Sequence, residues 1–174
     1  MSSTYIVIGA PGQGKSPFVQ KFIEGRRCFV FDIQNEYGQR TKYPGQRPIG
    51  LSDNVNDLRA RYKGDDIEAF QLMCLQKRDT VLIFEEATIF FEGRTGKLTR
   101  KLLVNRFHTG NVYMFLFHSI NAVPPRIMEM CNFIVLLKTN DEEHNVRWKY
   151  TKLLYYFLDL REKPDGSYHI IKAL

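Results

Sequence analysis

The chain alternates short, almost continuously apolar runs with longer segments of mixed polarity. Runs rich in β-branched and aromatic residues predict five strands: Tyr5 to Gly9, Cys28 to Asp32, Thr80 to Phe84, Val112 to Phe117 and Asn132 to Leu137. Because runs such as TVLIF and VYMFLF lack polar alternation, both faces of these strands should be covered, as in a parallel sheet flanked by helices. The pattern therefore predicts an α/β fold.

Helices are expected in the segments that connect these strands. They run from Lys15 to about Glu24, from about Asp66 to Gln76, from about Leu98 to Thr109, and onward from near Pro124. Glycines and prolines between Gln39 and Asp53 predict a long surface excursion. Near the C-terminus, the KPDG turn at residues 163–166 should fold the tail back as a β-hairpin, with Tyr155 to Arg161 and Ser167 to Leu174 as its arms.

Length and composition indicate one compact domain. The chain has 174 residues, of which 44% are hydrophobic and 25% charged, and residues 141–174 are expected to form a C-terminal extension packed on the core. Three widely spaced cysteines, Cys28, Cys74 and Cys131, favour neither a disulfide framework nor a zinc site. No apolar run approaches the roughly 20 residues that span a bilayer, and no signal peptide is evident, which predicts a cytoplasmic protein.

The charge balance favours a polyanionic partner. Lys and Arg number 25 against 19 Asp and Glu, a formal net charge of +6. Four cations, Arg94, Lys97, Arg100 and Lys101, share a glycine-containing segment that could grip a DNA backbone, although a merely solvated basic face is the alternative. Since no base-reading motif is visible, any nucleic-acid contact should be to the backbone.

A phosphate-binding loop supplies the most specific signal. Residues 9–16 match G-x-x-x-x-G-K-[ST], the Walker A pattern, between an apolar run and a predicted helix. There the backbone N–H groups and a helix N-terminus can converge on a phosphate. Lys15 should reach the β- and γ-phosphates of ATP, and the Ser16 hydroxyl should bind Mg²⁺. The predicted nucleotide-binding residues are Gly9, Ala10, Pro11, Gly12, Gln13, Gly14, Lys15 and Ser16.

Two glutamates, Glu85 and Glu86, end the third predicted strand. Glu85 is predicted to support Mg²⁺, and Glu86 to act as the general base that polarises a water for attack on the γ-phosphate. A helix N-terminus that favours acids electrostatically is the alternative for this pair. A water-activating glutamate indicates hydrolysis, which leaves a small-molecule kinase as the alternative chemistry.

Four features of the sequence together resemble the HerA/FtsK group of DNA-pumping ATPases. They are the phosphate loop, the VLIFEEA strand end, the NRFHTG segment at residues 105–110 and the strand running into Phe117-His118-Ser119. Within that group the chain looks most like short viral genome-packaging ATPases and zonular-occludens-toxin-like assembly ATPases of phages. The resemblance, over roughly residues 4–140, implies a three-layer P-loop NTPase with sheet order 5-1-4-3-2 and a homo-oligomeric ring.

The same resemblance implies three site assignments. The segment from Asp32 to Gly38 looks like an acidic turn that helps order the active site. Arg106 looks like a finger that reaches a neighbouring subunit's site, where a guanidinium would stabilise the transition state; a solvated helix face is the alternative. His118 or Ser119 stands where the group has a γ-phosphate sensor, usually glutamine, and either could donate a hydrogen bond there.

The expected function is Mg²⁺-dependent ATP hydrolysis that drives DNA translocation, with packaging of a phage or viral genome as the leading interpretation. The partners implied are single- or double-stranded DNA, further copies of the chain and a viral portal or capsid protein, in the host cytoplasm or the virion. Three alternatives stay open: an assembly or export ATPase acting on protein, a small-molecule kinase, and a nucleotide-gated binding module.

Overall fold

A computed structural model describes residues 2–38, 50–91 and 96–173 of the chain. The strands are β1 (Ser3–Ile8), β2 (Cys28–Phe31), β3 (Arg59–Tyr62), β4 (Val81–Phe84), β5 (Val112–Phe117), β6 (Phe133–Leu137) and β7 (Tyr168–Lys172). The helices are α1 (Lys15–Ile23), α2 (Ile67–Cys74), α3 (Ala87–Phe90), α4 (Lys97–Thr109), α5 (Pro125–Met130), α6 (Glu143–Lys149) and α7 (Thr151–Arg161).

The strands form one open sheet in the order β3-β2-β4-β5-β1-β6-β7. All neighbouring strands are parallel except β6 and β7. The α/β prediction is confirmed, and the five predicted strands, now β1, β2, β4, β5 and β6, take the predicted order. The edge strand β3 was missed because its sequence, RARY, contains no apolar run.

The tail folds back as predicted, but one arm of the hairpin differs from the expectation. Strand β7 pairs antiparallel with β6, from Leu137 opposite Tyr168 to Phe133 opposite Lys172. The expected first arm, residues 155–161, is helical and lies in α7, so the connection between β6 and β7 carries α6 and α7. The physical reason is helical spacing: Leu153, Phe157 and Leu160 recur every three to four residues and are buried.

Both faces of the sheet are covered, as the unbroken apolar runs predicted. In β4, Leu82 and Phe84 point into one hydrophobic core, which also holds residues of α2, α4 and α7. Val81 and Ile83 point into a second core on the opposite face, together with Val19 and Ile23 of α1. The helices thus form the two outer layers, and the carboxyl ends of β1, β4 and β5 meet at one edge of the sheet, where a doubly wound fold places its ligand.

Several sequence predictions fall partly outside the described residues. Arg94 and residues 39–49 of the predicted excursion lie there. Cys28, Cys74 and Cys131 are buried and free, with no disulfide among them. Within the described ranges, no helix is both long and apolar enough to cross a membrane.

Candidate active site

The phosphate-binding loop joins β1 to α1 at the carboxyl edge of the sheet. Gly12 and Gly14 have φ values of +80° and +92°, a conformation that glycine adopts without a steric penalty. A Cβ atom on Gly9 would lie 2.9 Å from Cβ of Leu137, so the close approach to β6 requires glycine there. The first turn of α1, with Lys15 and Ser16, lines the cleft and presents backbone amides that have no helical partner.

Backbone hydrogen bonds tie this loop to the neighbouring strands. Gly9 N donates to the Phe117 carbonyl at 3.1 Å, and Ala10 N donates to the Lys138 carbonyl at 2.8 Å. Gln13 N closes the turn by donating to the Ala10 carbonyl at 3.2 Å. The ends of β5 and β6 therefore hold the loop at the edge of the sheet.

The Lys15 side chain folds back over its own loop. Its ammonium donates to the Gly9 carbonyl at 2.6 Å and the Ala10 carbonyl at 3.2 Å, and Nζ lies 3.2 Å from Nδ1 of His118. Burial lowers the pKa of Lys15, while the charges of Glu85, Glu86 and Glu36 act in the opposite direction. Phosphate oxygens are stronger acceptors for an ammonium group than the neutral carbonyl oxygens of Gly9 and Ala10, so a phosphate could replace them.

The turn after β2 places a carboxylate beside the Ser16 hydroxyl. Asp32 accepts hydrogen bonds from the backbone amides of Glu36 at 2.8 Å and Tyr37 at 3.1 Å, and so fixes the turn. Ser16 Oγ donates to Glu36 Oε2 at 3.0 Å. The structure thus brings the acidic turn implied by the resemblance to the predicted metal ligand.

Arg61 of β3 holds this turn from behind. Its guanidinium forms an ion pair with Asp32 at 2.9 Å, and both side chains are almost wholly buried. It also pairs with Asp53 at 2.7 Å and bonds Asn35. Sequence reasoning missed Arg61 because β3 itself was missed.

Glu85 points into the interior rather than into open solvent. The Tyr37 hydroxyl, fully buried, donates to Glu85 Oε1. Burial raises the pKa of Glu85 to about 8, an effect that the Tyr37 hydrogen bond opposes and the charges of Glu36 and Glu86 strengthen. Glu85 is therefore mostly protonated at neutral pH until a cation takes the place of its proton. The role of Tyr37 was not predicted, although it lies within the acidic segment.

Glu86 also lines the cleft, and the backbone changes direction at this residue. It has φ +52°, in the left-handed region that non-glycine residues rarely adopt, and it caps the N-terminus of α3. Such strain in a non-glycine residue is typical of functional sites. The Glu86 Oε2 atom lies 2.7 Å from Nε2 of His118.

The structure separates the two candidate sensors. His118 lines the cleft and contacts both Lys15 and Glu86. Ser119 is not among the lining residues, and its hydroxyl accepts from Ala122 N at 3.1 Å within the following turn. Of the pair, only His118 lines the cleft.

These groups line a cleft of about 360 Å³. Its lysine, loop amides and oxygen donors fit a nucleoside triphosphate with Mg²⁺. The oxygen donors that Mg²⁺ prefers are present in Ser16, Glu36 and Glu85. Among the described residues, no cluster of three or more His, Cys, Asp or Glu side chains is arranged to hold a metal alone. Protein-bound Mg²⁺ is usually held by one or two carboxylates together with the phosphates of the substrate.

Arg106 lies at the opposite, amino edge of the sheet. Its guanidinium is buried, donates to the Met130 carbonyl at 2.9 Å and to Thr4 Oγ1 at 3.4 Å, and lies over the Phe107 ring. Helix α4 starts near the carboxyl edge, after β4, and ends at the amino edge, before β5, so its last turn is far from the phosphate loop. Arg106 is thus not brought into the cleft or onto the surface, and its finger role stays a prediction that this geometry opposes.

The described part of the basic segment is exposed. Lys97, Arg100 and Lys101 lie on the outer side of the first turns of α4, while Thr99, Leu102 and Leu103 are buried beneath them. Since this end of α4 follows α3 and Glu86, the three cations are on the same edge of the sheet as the cleft. We call them the α4 basic stripe.

Comparisons with known proteins agree with this architecture. The genome packaging NTPase B204 from Sulfolobus turreted icosahedral virus 2, in complex with sulfate, superimposes with a TM-score of 0.75 and 17% identity, covering 99% of this chain and 92% of that chain. Its complex with ATP-gammaS gives a TM-score of 0.73 at 19% identity, over the same shares of both chains. A lower score of 0.49, at 14% identity, is found for the N-terminal domain of zonular occludens toxin from Neisseria meningitidis, over 80% of this chain and 78% of that chain.

No protein-family model matches the sequence, and no curated protein sequence matches it either. At these identities the structural likeness establishes the fold alone, which the chain shares with the genome packaging NTPase B204. What the protein does must be argued from the cleft.

Proposed function

We propose that the protein is a Mg²⁺-dependent ATPase that uses hydrolysis to move DNA, as in packaging of a viral genome. The observation that carries the ATPase part is the convergence of Lys15 and Ser16, from the start of α1, and of Glu85 and Glu86, from the end of β4, on one cleft. A structural role alone gives no reason for three acidic residues, Glu36, Glu85 and Glu86, to lie close enough to one lysine to influence its pKa.

Each residue has a defined task in hydrolysis. The loop amides and Lys15 would bind the β- and γ-phosphates. Ser16, with Glu85 and Glu36 nearby, would hold Mg²⁺, which would supply positive charge against the developing negative charge. Glu86 orients a water and takes its proton while the water oxygen bonds to the γ-phosphorus. The bond from that phosphorus to the β-γ bridging oxygen breaks, and ADP and phosphate leave.

The DNA-moving part of the proposal is supported by two further observations. The α4 basic stripe is exposed on the same edge as the cleft. The fold is shared with an NTPase that packages a viral genome. Several copies of a domain with a net charge of +6 would combine their positive charge around a DNA strand, so we propose a homo-oligomeric ring. We propose that this ring works with a portal or capsid protein.

The position of Glu86 supports hydrolysis over phosphoryl transfer by a small-molecule kinase. A kinase positions an acceptor and has no need of a carboxylate that activates water, whereas Glu86 faces the cleft at a strained position. A nucleotide-gated binding module would turn over slowly. An ATPase acting on protein shares the same site, and only the cargo separates it from the DNA motor.

Release of phosphate from Mg·ATP, with and without double-stranded DNA, tests the proposal. We expect multiple turnover by the wild type, faster turnover with DNA, and a loss of stimulation as salt is raised. Glu86→Gln should bind Mg·ATPγS normally and lose turnover by about 10²-fold or more. Absence of hydrolysis by the wild type in all conditions would refute the enzyme assignment, and hydrolysis indifferent to DNA would refute the cargo.

A further inference from the structure

His118 lies between the two charged residues on which the proposed hydrolysis depends. Its Nδ1 atom is 3.2 Å from the Lys15 ammonium, and its Nε2 atom is 2.7 Å from Glu86 Oε2. The imidazole is partly exposed to the cleft, with 31% of the side chain accessible, while the Glu86 side chain is 17% accessible. One ring thus joins the phosphate-binding lysine to the proposed general base.

The partners define which ring nitrogen carries the proton. An ammonium group can only donate, so the Lys15 contact requires an unprotonated Nδ1. The proton of the neutral ring is then on Nε2, which donates to the Glu86 carboxylate. This tautomer satisfies both contacts without placing a second positive charge next to Lys15.

The His118 backbone is tied to the same segment as Glu86. His118 N donates to Thr88 Oγ1 at 3.0 Å, and Thr88 belongs to α3, which begins directly after Glu86. The end of β5 therefore holds the Glu86 region by one backbone bond and one side-chain bond. These two bonds fix the position of the imidazole relative to Glu86, so the ring can orient the carboxylate.

We propose that His118 is a positioning residue that orients Glu86 toward the attacking water, and that ATP binding reaches it through Lys15. The proposal rests on the proposed ATPase function. When phosphates enter, the Lys15 ammonium exchanges the Gly9 and Ala10 carbonyls and Nδ1 of His118 for phosphate oxygens, which are stronger acceptors. The Nε2–H bond to Glu86 remains and keeps the carboxylate oriented while Lys15 binds the phosphates.

Three substitutions at His118 separate the two contacts. Gln places an amide N–H near the position of Nε2 and can keep the Glu86 contact, Asn reaches only the position of Nδ1, and Ala keeps neither. We expect kcat to fall roughly tenfold or more for His118→Ala and His118→Asn, and to stay within about threefold of wild type for His118→Gln. The dissociation constant of Mg·ATPγS should change less than about threefold in all three, because the phosphate contacts are intact.

A double-mutant comparison with Glu86→Gln tests whether His118 acts through Glu86. In single-turnover hydrolysis, His118→Ala should slow Glu86→Gln no further, since residues that act as a unit are strongly non-additive. An additive loss would overturn the proposal and make His118 an independent contact of the phosphate. So would an Asn variant that keeps its activity while the Gln variant loses it.

The imidazole itself provides a readout that does not depend on turnover. In ¹⁵N-labelled protein, with His118→Gln used to identify the signal, we expect the Nε2–H tautomer of His118 without nucleotide. Mg·ATPγS should shift Nδ1 more than Nε2, because only Nδ1 loses its partner. An Nδ1–H tautomer, or no shift on binding, would overturn the proposal, whereas a wild type that binds nucleotide without hydrolysing it would refute only the proposed function.

Discussion

Polar side chains at the two edges of the sheet make different kinds of hydrogen bond. At the carboxyl edge, several side chains bond one another: Ser16 with Glu36, Tyr37 with Glu85, and His118 with both Lys15 and Glu86.

At the amino edge, side chains mainly bond the backbone. Arg106 donates to the Met130 carbonyl, Asn132 accepts from Thr4 N at 2.8 Å, and Asn111 accepts from Thr80 N at 3.1 Å. Bonds to the backbone fix the fold, whereas side-chain pairs can exchange partners when a ligand enters. This difference is the basis for our proposal that the chemistry takes place at the carboxyl edge.

Lys15→Ala should have the largest effect. It removes the only lysine among the described residues that line the cleft, so we expect affinity for Mg·ATPγS and kcat/KM to fall by at least about 100-fold. Calorimetric titration and phosphate release measure the two losses. Lys21→Ala, an exposed position on the same helix, is the matched control and should leave both within about twofold. Equal losses in the two variants would mean that general charge, rather than the cleft, binds the nucleotide.

The buried carboxyl of Glu85 makes stability depend on pH. Its folded-state pKa of about 8 exceeds the ordinary value of 4.5. The contribution of Glu85 to the free energy of unfolding is therefore fully present below about pH 4.5 and is lost as the pH rises through 8. Because a pKa difference of one unit corresponds to about 1.4 kcal/mol, Glu85 should lower the free energy of unfolding by more than about 2 kcal/mol between pH 4.5 and pH 8.

Glu85→Gln cannot ionise and still accepts the Tyr37 hydrogen bond. In metal-free buffer its melting temperature should therefore match the wild type at pH 5 and exceed it at pH 8. A wild type and variant with parallel pH profiles would show that Glu85 is charged in the folded protein.

Arg106→Met should change stability and not catalysis. The substitution keeps the volume of the buried stem and leaves the Met130 carbonyl without its donor, which should cost about 1–3 kcal/mol in the free energy of unfolding. Denaturant titration measures the loss. Arg126→Met, at an exposed arginine, is the control and should cost less than about 0.5 kcal/mol.

The α4 basic stripe should have the smallest effect, confined to DNA. Replacing Lys97, Arg100 and Lys101 with Ala should leave DNA-free turnover unchanged and reduce the salt slope of DNA binding by about one for each cation that binds a phosphate. A control of equal charge replaces the exposed lysines Lys21, Lys152 and Lys172. If both triple variants weaken DNA binding alike, the stripe has no special role.

Much of the fold could be predicted from the sequence because apolar runs in a parallel sheet are unbroken. Five strands and the phosphate loop follow from such runs and from glycine spacing. Strand β3 could not be found, since an edge strand with two arginines carries no apolar pattern. Helix α7 contains two competing signals. The KPDG turn after it predicts a hairpin arm, whereas the helical spacing of Leu153, Phe157 and Leu160 determines the observed structure.

The site was predicted less completely. Glu85 and Glu86 are adjacent in sequence, yet their different surroundings depend on the left-handed backbone of Glu86, which no residue pattern reveals. The position of Arg106 was open to deduction, since the last turn of a helix between parallel strands must lie at the amino edge. The contact of His118 with Lys15 joins residues 103 positions apart and required the structure.

Turnover per folded molecule of Glu86→Gln and Arg106→Met, measured side by side, tests most directly that the chemistry lies at the carboxyl edge. We predict that Glu86→Gln retains less than about 1% of wild-type kcat. Arg106→Met should retain more than half once the folded fraction is taken into account. A loss of about 10³-fold in Arg106→Met, the size expected for an arginine finger, together with an active Glu86→Gln, would contradict the account.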